Sequence, residues 1–179
     1  MTTYIALLRG INVSGQKKVP MAVLRELLSK SGFKKIGTYI QSGNVIFQSL
    51  EQNKSILEKM IQSNIQEHFG FLVPTLVKAP EEIRAILDEF PFSEEKKEGS
   101  YFTLLYEIPS EKLVNSISKE VCHNEEFIIK RDCVYFYPVK GYGKTKCDNN
   151  FFERKLNITA TTRNYKTMLK LLSLSSEIE

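Results

Sequence analysis

Residues 3–8, TYIALL, form an unbroken apolar run that ends at a basic residue and a glycine. A strand of alternating character can leave one face in water, whereas a continuous apolar strand has to be covered on both. The run therefore predicts a central strand in a sheet with both faces buried.

The elements after it supply such a cover. Pro20 predicts the first residue of a helix, where its missing N–H costs nothing. Leu24, Leu27 and Leu28 recur at helical spacing through about Lys30, and Gly32 ends the run. Residues 35–48, KIGTYIQSGNVIFQ, alternate around Ser42-Gly43, which predicts a tight hairpin with Gly43 at positive φ. Ile56, Met60, Ile61, Ile65 and Phe69 mark a second helix stopped by Gly70, and residues 71–77 a further strand. The order is βαββαβ, the ferredoxin-like pattern.

Pro80 and Glu81-Glu82 open a third helix, with acids where the macrodipole favours them. Its apolar face includes Ile83, Ile86 and Leu87. Residues 91–100, PFSEEKKEGS, read as a linker. Beyond it come a strand at 101–106, a helix at 110–120 opened by Ser110, and strands at 127–129 and 134–139. A helix containing Phe151, Phe152 and Leu156 and a last helix around 169–172 complete the chain. The second half thus begins βαββα, like the first in order though not in sequence. The expected architecture is α+β, two packed ferredoxin-like subdomains: residues 1–90 with an added helix, the linker, and 101–179.

The 179 residues, 42% hydrophobic and 26% charged, exclude a disordered chain. The net charge of +4 permits an anionic partner without demanding one. The N-terminus lacks a signal-peptide pattern, and no apolar run approaches the ~20 residues of a membrane span. Cys122, Cys133 and Cys147 form no CxxC site or disulfide framework, which predicts reduced thiols and a cytoplasmic protein.

Strands one and two of the ferredoxin-like pattern run parallel, so the loop after the first lies beside the hairpin after the second. That juxtaposition gathers Arg9, Asn12, Lys17 and Lys18 with Gln41, Ser42 and Asn44, a plausible small-molecule site. Ser42-Gly43 also reads simply as a turn capped by Asn44, while Arg9 and Asn12 fit loop stabilisation and ligand contact equally well. GINVSGQKK, residues 10–18, is nearly a P-loop, but Gln16 stands where the phosphate-binding lysine belongs and the helix begins late. GYGKTK, residues 141–146, has Pro138 in place of the first glycine. Lys140, Lys144 and Lys146, followed by Arg154, Lys155 and Arg163, make the most basic stretch. Tyr142 and Tyr165 among these cations are candidates for stacking on a base or sugar; a charge run is otherwise a solvated face.

His68 and His123 are the only histidines, and no ligand set has metal spacing. Cys122 and His123 are adjacent and would point apart in a strand. The third strand, Asn44-Val45-Ile46-Phe47-Gln48, lacks the basic and aromatic pattern of an RNA-binding sheet.

TYIALLRGINVSGQKKVPMAVLRELL, TYIQSGNVIF and GYGKTKCDNNFFERKLNITATTRNYKTMLKLL together resemble the bacterial family called domain of unknown function 1697. The likeness runs over essentially the whole chain. It implies a cytosolic protein with ferredoxin-like subdomains and no established activity. It places the family's signature polar positions on Arg9, Gly10, Asn12 and Gln41 to Asn44. Further signature positions are Gly141, Gly143, Lys144, Glu153, Arg154, Thr161 to Asn164 and Lys170. Lys144-Thr145-Lys146 stands where members often have Arg-Ser-Lys, and Tyr165 where they often have Trp. Thr161, Thr162 and Asn164 precede a helix and read as caps.

The resulting expectation is a phosphorylated or other anionic small molecule bound at the subdomain interface. Its ligand set is Arg9, Asn12, Lys17, Gln41, Ser42, Asn44, Lys144, Arg154, Arg163 and Asn164. The alternative is a nucleic-acid-associated or protein-interaction module using the basic 140–170 surface. No catalytic residue, metal, cofactor or membrane partner is assigned, and the oligomeric state is left open.

Overall fold

The computed structural model describes residues 1–13, 15–117 and 125–178. The chain divides into two units, Met1–Ala85 with Leu169–Glu179, and Ile86–Met168.

The first unit holds the strands β1 (Thr2–Leu8), β2 (Lys34–Tyr39), β3 (Asn44–Ser49) and β4 (Thr75–Lys78), with helices α1 (Met21–Lys30) and α2 (Lys54–Phe69). The sheet is antiparallel in the order β2-β3-β1-β4. As expected, β1 is central, and residues 3–8 are buried on both faces. Tyr4, Ala6 and Leu8 pack with Leu24, Leu28, Leu57, Ile61 and Ile65, whose spacing turns one stripe of each helix to the sheet. Asn53 caps α2 through the Ser55 N–H, and Gly70 closes it at φ 79°. Pro20 is the N-cap of α1 rather than its first helical residue, because its ψ of 128° is extended while its carbonyl already accepts from Leu24.

The last strand is shorter than expected. Residues 71–74 stay outside the ladder, with Pro74 lacking a ladder N–H. Glu58 caps the outer edge of β4 by accepting the Val77 N–H at 2.9 Å. Half-burial raises that carboxyl above its ordinary pKa, partly offset by this bond.

The second unit contains β5 (Tyr101–Leu105), α4 (Glu111–Ile117), β6 (Glu125–Lys130), β7 (Cys133–Pro138), α5 (Asn149–Leu156) and β8 (Ala160–Asn164). Its sheet has the order β6-β7-β5-β8, the same plan as the first. Phe136, Phe152, Leu105 and Leu156 form its core with Cys147. β8 departs from the sequence reading. Thr161 and Thr162 are not helix caps but ladder residues opposite Leu104 and Thr103. Asn164 does cap: its Oδ1 accepts the Thr167 N–H at 2.9 Å. It opens α6 (Tyr165–Glu177), which starts earlier than its apolar residues indicate. The division between units falls inside α6, and likewise inside α3 (Pro80–Asp88).

Residues 91–100 belong to the second unit and include a 3-10 helix, Glu94–Gly99. Lys96 pairs with Glu126 there, and the buried Ser100 accepts the Tyr165 N–H on its carbonyl. Cys133 is a buried thiol and Cys147 is buried in the second unit's core, while Cys122 lies outside the described residues.

Gly43 joins the hairpin to the central strand. It sits at φ 77°, its carbonyl accepts the Leu8 N–H at 2.8 Å, and an added Cβ would lie 2.7 Å from the Leu8 Cβ. Both the backbone and the space demand glycine. Gly43→Ala is expected to lose about 2–3 kcal/mol of stability from strain and overpacking. Urea denaturation followed by circular dichroism measures this, and an unchanged midpoint would contradict the close approach.

Candidate functional site

The C-terminal end of β1 is where the first polar set meets. The loop that leaves it passes through Gly10 at φ 70°, Asn12 at 54°, Gly15 at 74° and Lys17 at 45°. Left-handed geometry costs glycine nothing and asparagine little, but it strains lysine. The loop closes on itself: the Asn12 N–H donates to the Lys17 carbonyl, and Gln16 N–H to that of Val13.

Asn12 organises this loop. Its Oδ1 accepts the Val19 N–H at 2.8 Å, and its Nδ2 donates to the Val19 carbonyl at 3.0 Å and the Gln41 carbonyl at 2.8 Å. The amide therefore ties the loop to the hairpin, as the topology predicted, and its bonding capacity is spent on backbone. Asn44 is equally engaged. It is fully buried, and its Nδ2 donates to the Tyr39 carbonyl and to Ser42 Oγ. Gln41 contributes its carbonyl, and its side chain is exposed.

Lys17 reaches a third segment. Its ammonium donates to the Leu72 carbonyl at 2.9 Å and lies 6.0 Å from the Phe71 ring centroid. The Arg9 N–H donates to the Pro74 carbonyl, and its side chain is half-buried. Lys18 is exposed. Residues 9–20, 39–44 and 69–75 thus build one end of the unit. They carry Arg9, Lys17 and Lys18 and no carboxylate.

The second polar set belongs to the other unit. Lys144 ends a short 3-10 turn, Tyr142–Lys144, and is exposed, as are Lys140, Lys146 and Arg154. The aromatics among these cations are already occupied. Tyr142 stacks on Tyr101 at 4.3 Å, and Tyr165 on Phe102 at 6.3 Å. Tyr142 also accepts the Asn149 N–H, and burial raises its phenol pKa.

Arg163 is buried in β8 and donates to Thr161 Oγ1 and the Thr162 carbonyl, each at 2.8 Å. Burial lowers its guanidinium to about 10, with Tyr106 opposing the shift. It still carries its charge at neutral pH. Beside it Thr162 Oγ1 meets Thr103 Oγ1 and donates to Asn149 Oδ1, both at 2.8 Å. This hydroxyl network explains why a ladder strand is written in polar residues, and sequence reading missed it because hydrophobicity was its signal. Among the described residues no group of His, Cys, Asp and Glu is arranged to hold a metal. Cys122 and His123 lie outside the described residues. No described helix is long and apolar enough to cross a membrane.

Three comparisons bear on these features. A family model described as a protein of unknown function, DUF1697, matches residues 1–135. The fold is similar to that of the conserved bacterial protein SP0830 from Streptococcus pneumoniae, with a TM-score of 0.74 and 25% identity, covering 97% of this chain and 98% of that one. No curated protein matches.

The bonds of Asn12 make a direct test. Asn12→Ala leaves the buried Val19 N–H without an acceptor and frees the hairpin, and is expected to cost about 2–3 kcal/mol. Asn12→Asp keeps the acceptor but faces two carbonyls with a charge, and should recover only part of it. Chemical denaturation of both variants checks this, and full stability in Asn12→Ala would show the amide to be dispensable to the fold.

Proposed function

The chain belongs to the family of unknown function DUF1697, whose description assigns no activity, and from that premise we propose that its first unit binds a phosphorylated or other anionic small molecule at the end of β1. The observation that carries this reading is the acid-free end itself. Arg9, Lys17 and Lys18 all stand on residues 9–20, and neither that segment nor 39–44 and 69–75 carries a carboxylate. Such a concentration of one sign raises the local concentration of an anion. The strained backbone of Lys17 supports it, because left-handed non-glycine residues gather at functional sites. In this reading Asn12 and Asn44 act indirectly, by fixing the loop and the hairpin that present the cations. The signature carboxamides would then be conservators of geometry rather than contacts.

A second reading, binding of nucleic acid by the exposed Lys140, Lys144, Lys146 and Arg154, is supported by their clustering. It predicts a steep loss of affinity with salt, through counterion release.

A thermal-shift series with inorganic phosphate, nucleotides, sugar phosphates and short oligonucleotides separates the two. A phosphorylated ligand at about 100 times its Kd adds about 2.7 kcal/mol of stability, expected here as a Tm rise of roughly 5 °C or more. Lys17→Ala with Lys18→Ala should reduce that rise at least by half, and Lys144→Ala with Arg154→Ala should leave it intact. No stabilisation by any phosphorylated compound would overturn the proposal.

A further inference from the structure

The cationic end of the first unit also displays aliphatic side chains. Val13 is 58% exposed, Ile40 52% and Leu72 58%. They lie on the three segments that the loop bonds join. Val13 follows Asn12, whose amide reaches the carbonyl of Gln41 next to Ile40, and Lys17 holds the carbonyl of Leu72 itself. The three aliphatics therefore share one end with Arg9, Lys17 and Lys18.

Ile40 is the informative member. It sits at φ 49°, a left-handed conformation that is a genuine outlier for a β-branched residue. Glycine or asparagine would hold this turn position with less strain. The isoleucine gains little from burial in return, since half of it faces water. Folding thus gives no reason for an isoleucine at this position, and contact with a ligand does.

Resting on the anion-binding reading above, we infer that the anion bound at this end carries an aliphatic chain. Its charged group meets Arg9, Lys17 and Lys18, and its chain lies against Val13, Ile40 and Leu72. A purely ionic ligand would leave the aliphatics in water, and a neutral one would leave the ammonium groups of Lys17 and Lys18 without a counter-charge. Alkyl and acyl phosphates share this chemistry, whether as free small molecules or as lipid headgroups with their chains.

Calorimetric titration with inorganic phosphate and with butyl, hexyl and octyl phosphate, below their micelle concentrations, tests this. Affinity is expected to rise roughly two- to fourfold for each methylene group buried. Ile40→Asn suits the left-handed backbone and so keeps the fold, and with Leu72→Ser it should abolish the gain with chain length. Lys17→Ala should weaken the whole series. Equal affinity for phosphate and octyl phosphate would overturn the inference and leave the anion site standing. So would octyl glucoside binding as tightly as octyl phosphate overturn it. Failure of every phosphate to bind would overturn the anion reading beneath it. Co-sedimentation with phosphatidylcholine vesicles containing phosphatidic acid identifies the source once the chain-length gain is seen. Sedimentation competed by octyl phosphate assigns the chain to a lipid, and no sedimentation assigns it to a free ligand.

Discussion

The pairing of β1 with β3, closed by Gly43 against Leu8, is the contact on which the first unit depends. Six residues of β1 are opposite six of β3, from Thr2 with Ser49 to Leu7 with Asn44. Where this ladder ends, the Leu8 N–H is taken by the Gly43 carbonyl. A side chain at position 43 would push the hairpin off the strand end. The hairpin would then lose its position beside the loop, and the Asn12 bond to Gln41 with it. Burial of β1 on both faces makes this arrangement rigid, because neither face can relax into water.

Much of this was legible. TYIALL gave its central position away by being apolar on both faces, and Gly43 and Gly70 were readable as left-handed positions. Asn164 is the cap that it reads as. β8 was not legible because Thr161, Thr162 and Arg163 satisfy one another and their neighbours with hydrogen bonds. The burial of Thr161 and Arg163 leaves no trace in a hydrophobicity pattern. Residues 71–74 misled in the opposite direction: an apolar run followed by proline reads as a strand, yet Leu72 is exposed and its carbonyl serves Lys17.

The candidate site was legible as a place and less so as chemistry. Topology alone brought the loop and the hairpin together. The division of labour within it shows only in the fold, since nothing in the spelling of Asn12 distinguishes an amide that holds backbone from one that holds a ligand. Ile40 was hidden for a similar reason. In the sequence it continues an alternating strand, and only its backbone angle and exposure mark it as out of place.

The two units use the same strand order, and each draws one cation into an edge strand: Lys78 in β4 beside Glu82, Arg163 in β8 among hydroxyls. In the second, Arg163 is drawn into the sheet, where burial lowers its pKa and Thr161 Oγ1 and the Thr162 carbonyl accept hydrogen bonds from it. In the first, the loop after β1 is held by a neutral residue, Asn12, whose carboxamide offers donors and an acceptor without a charge to desolvate. Lys17 spends one hydrogen bond on the Leu72 carbonyl. An ammonium has three such protons to give. The neutral clamp therefore adds no buried charge of its own and leaves the side chains of Lys17 and Lys18 at the surface beside it.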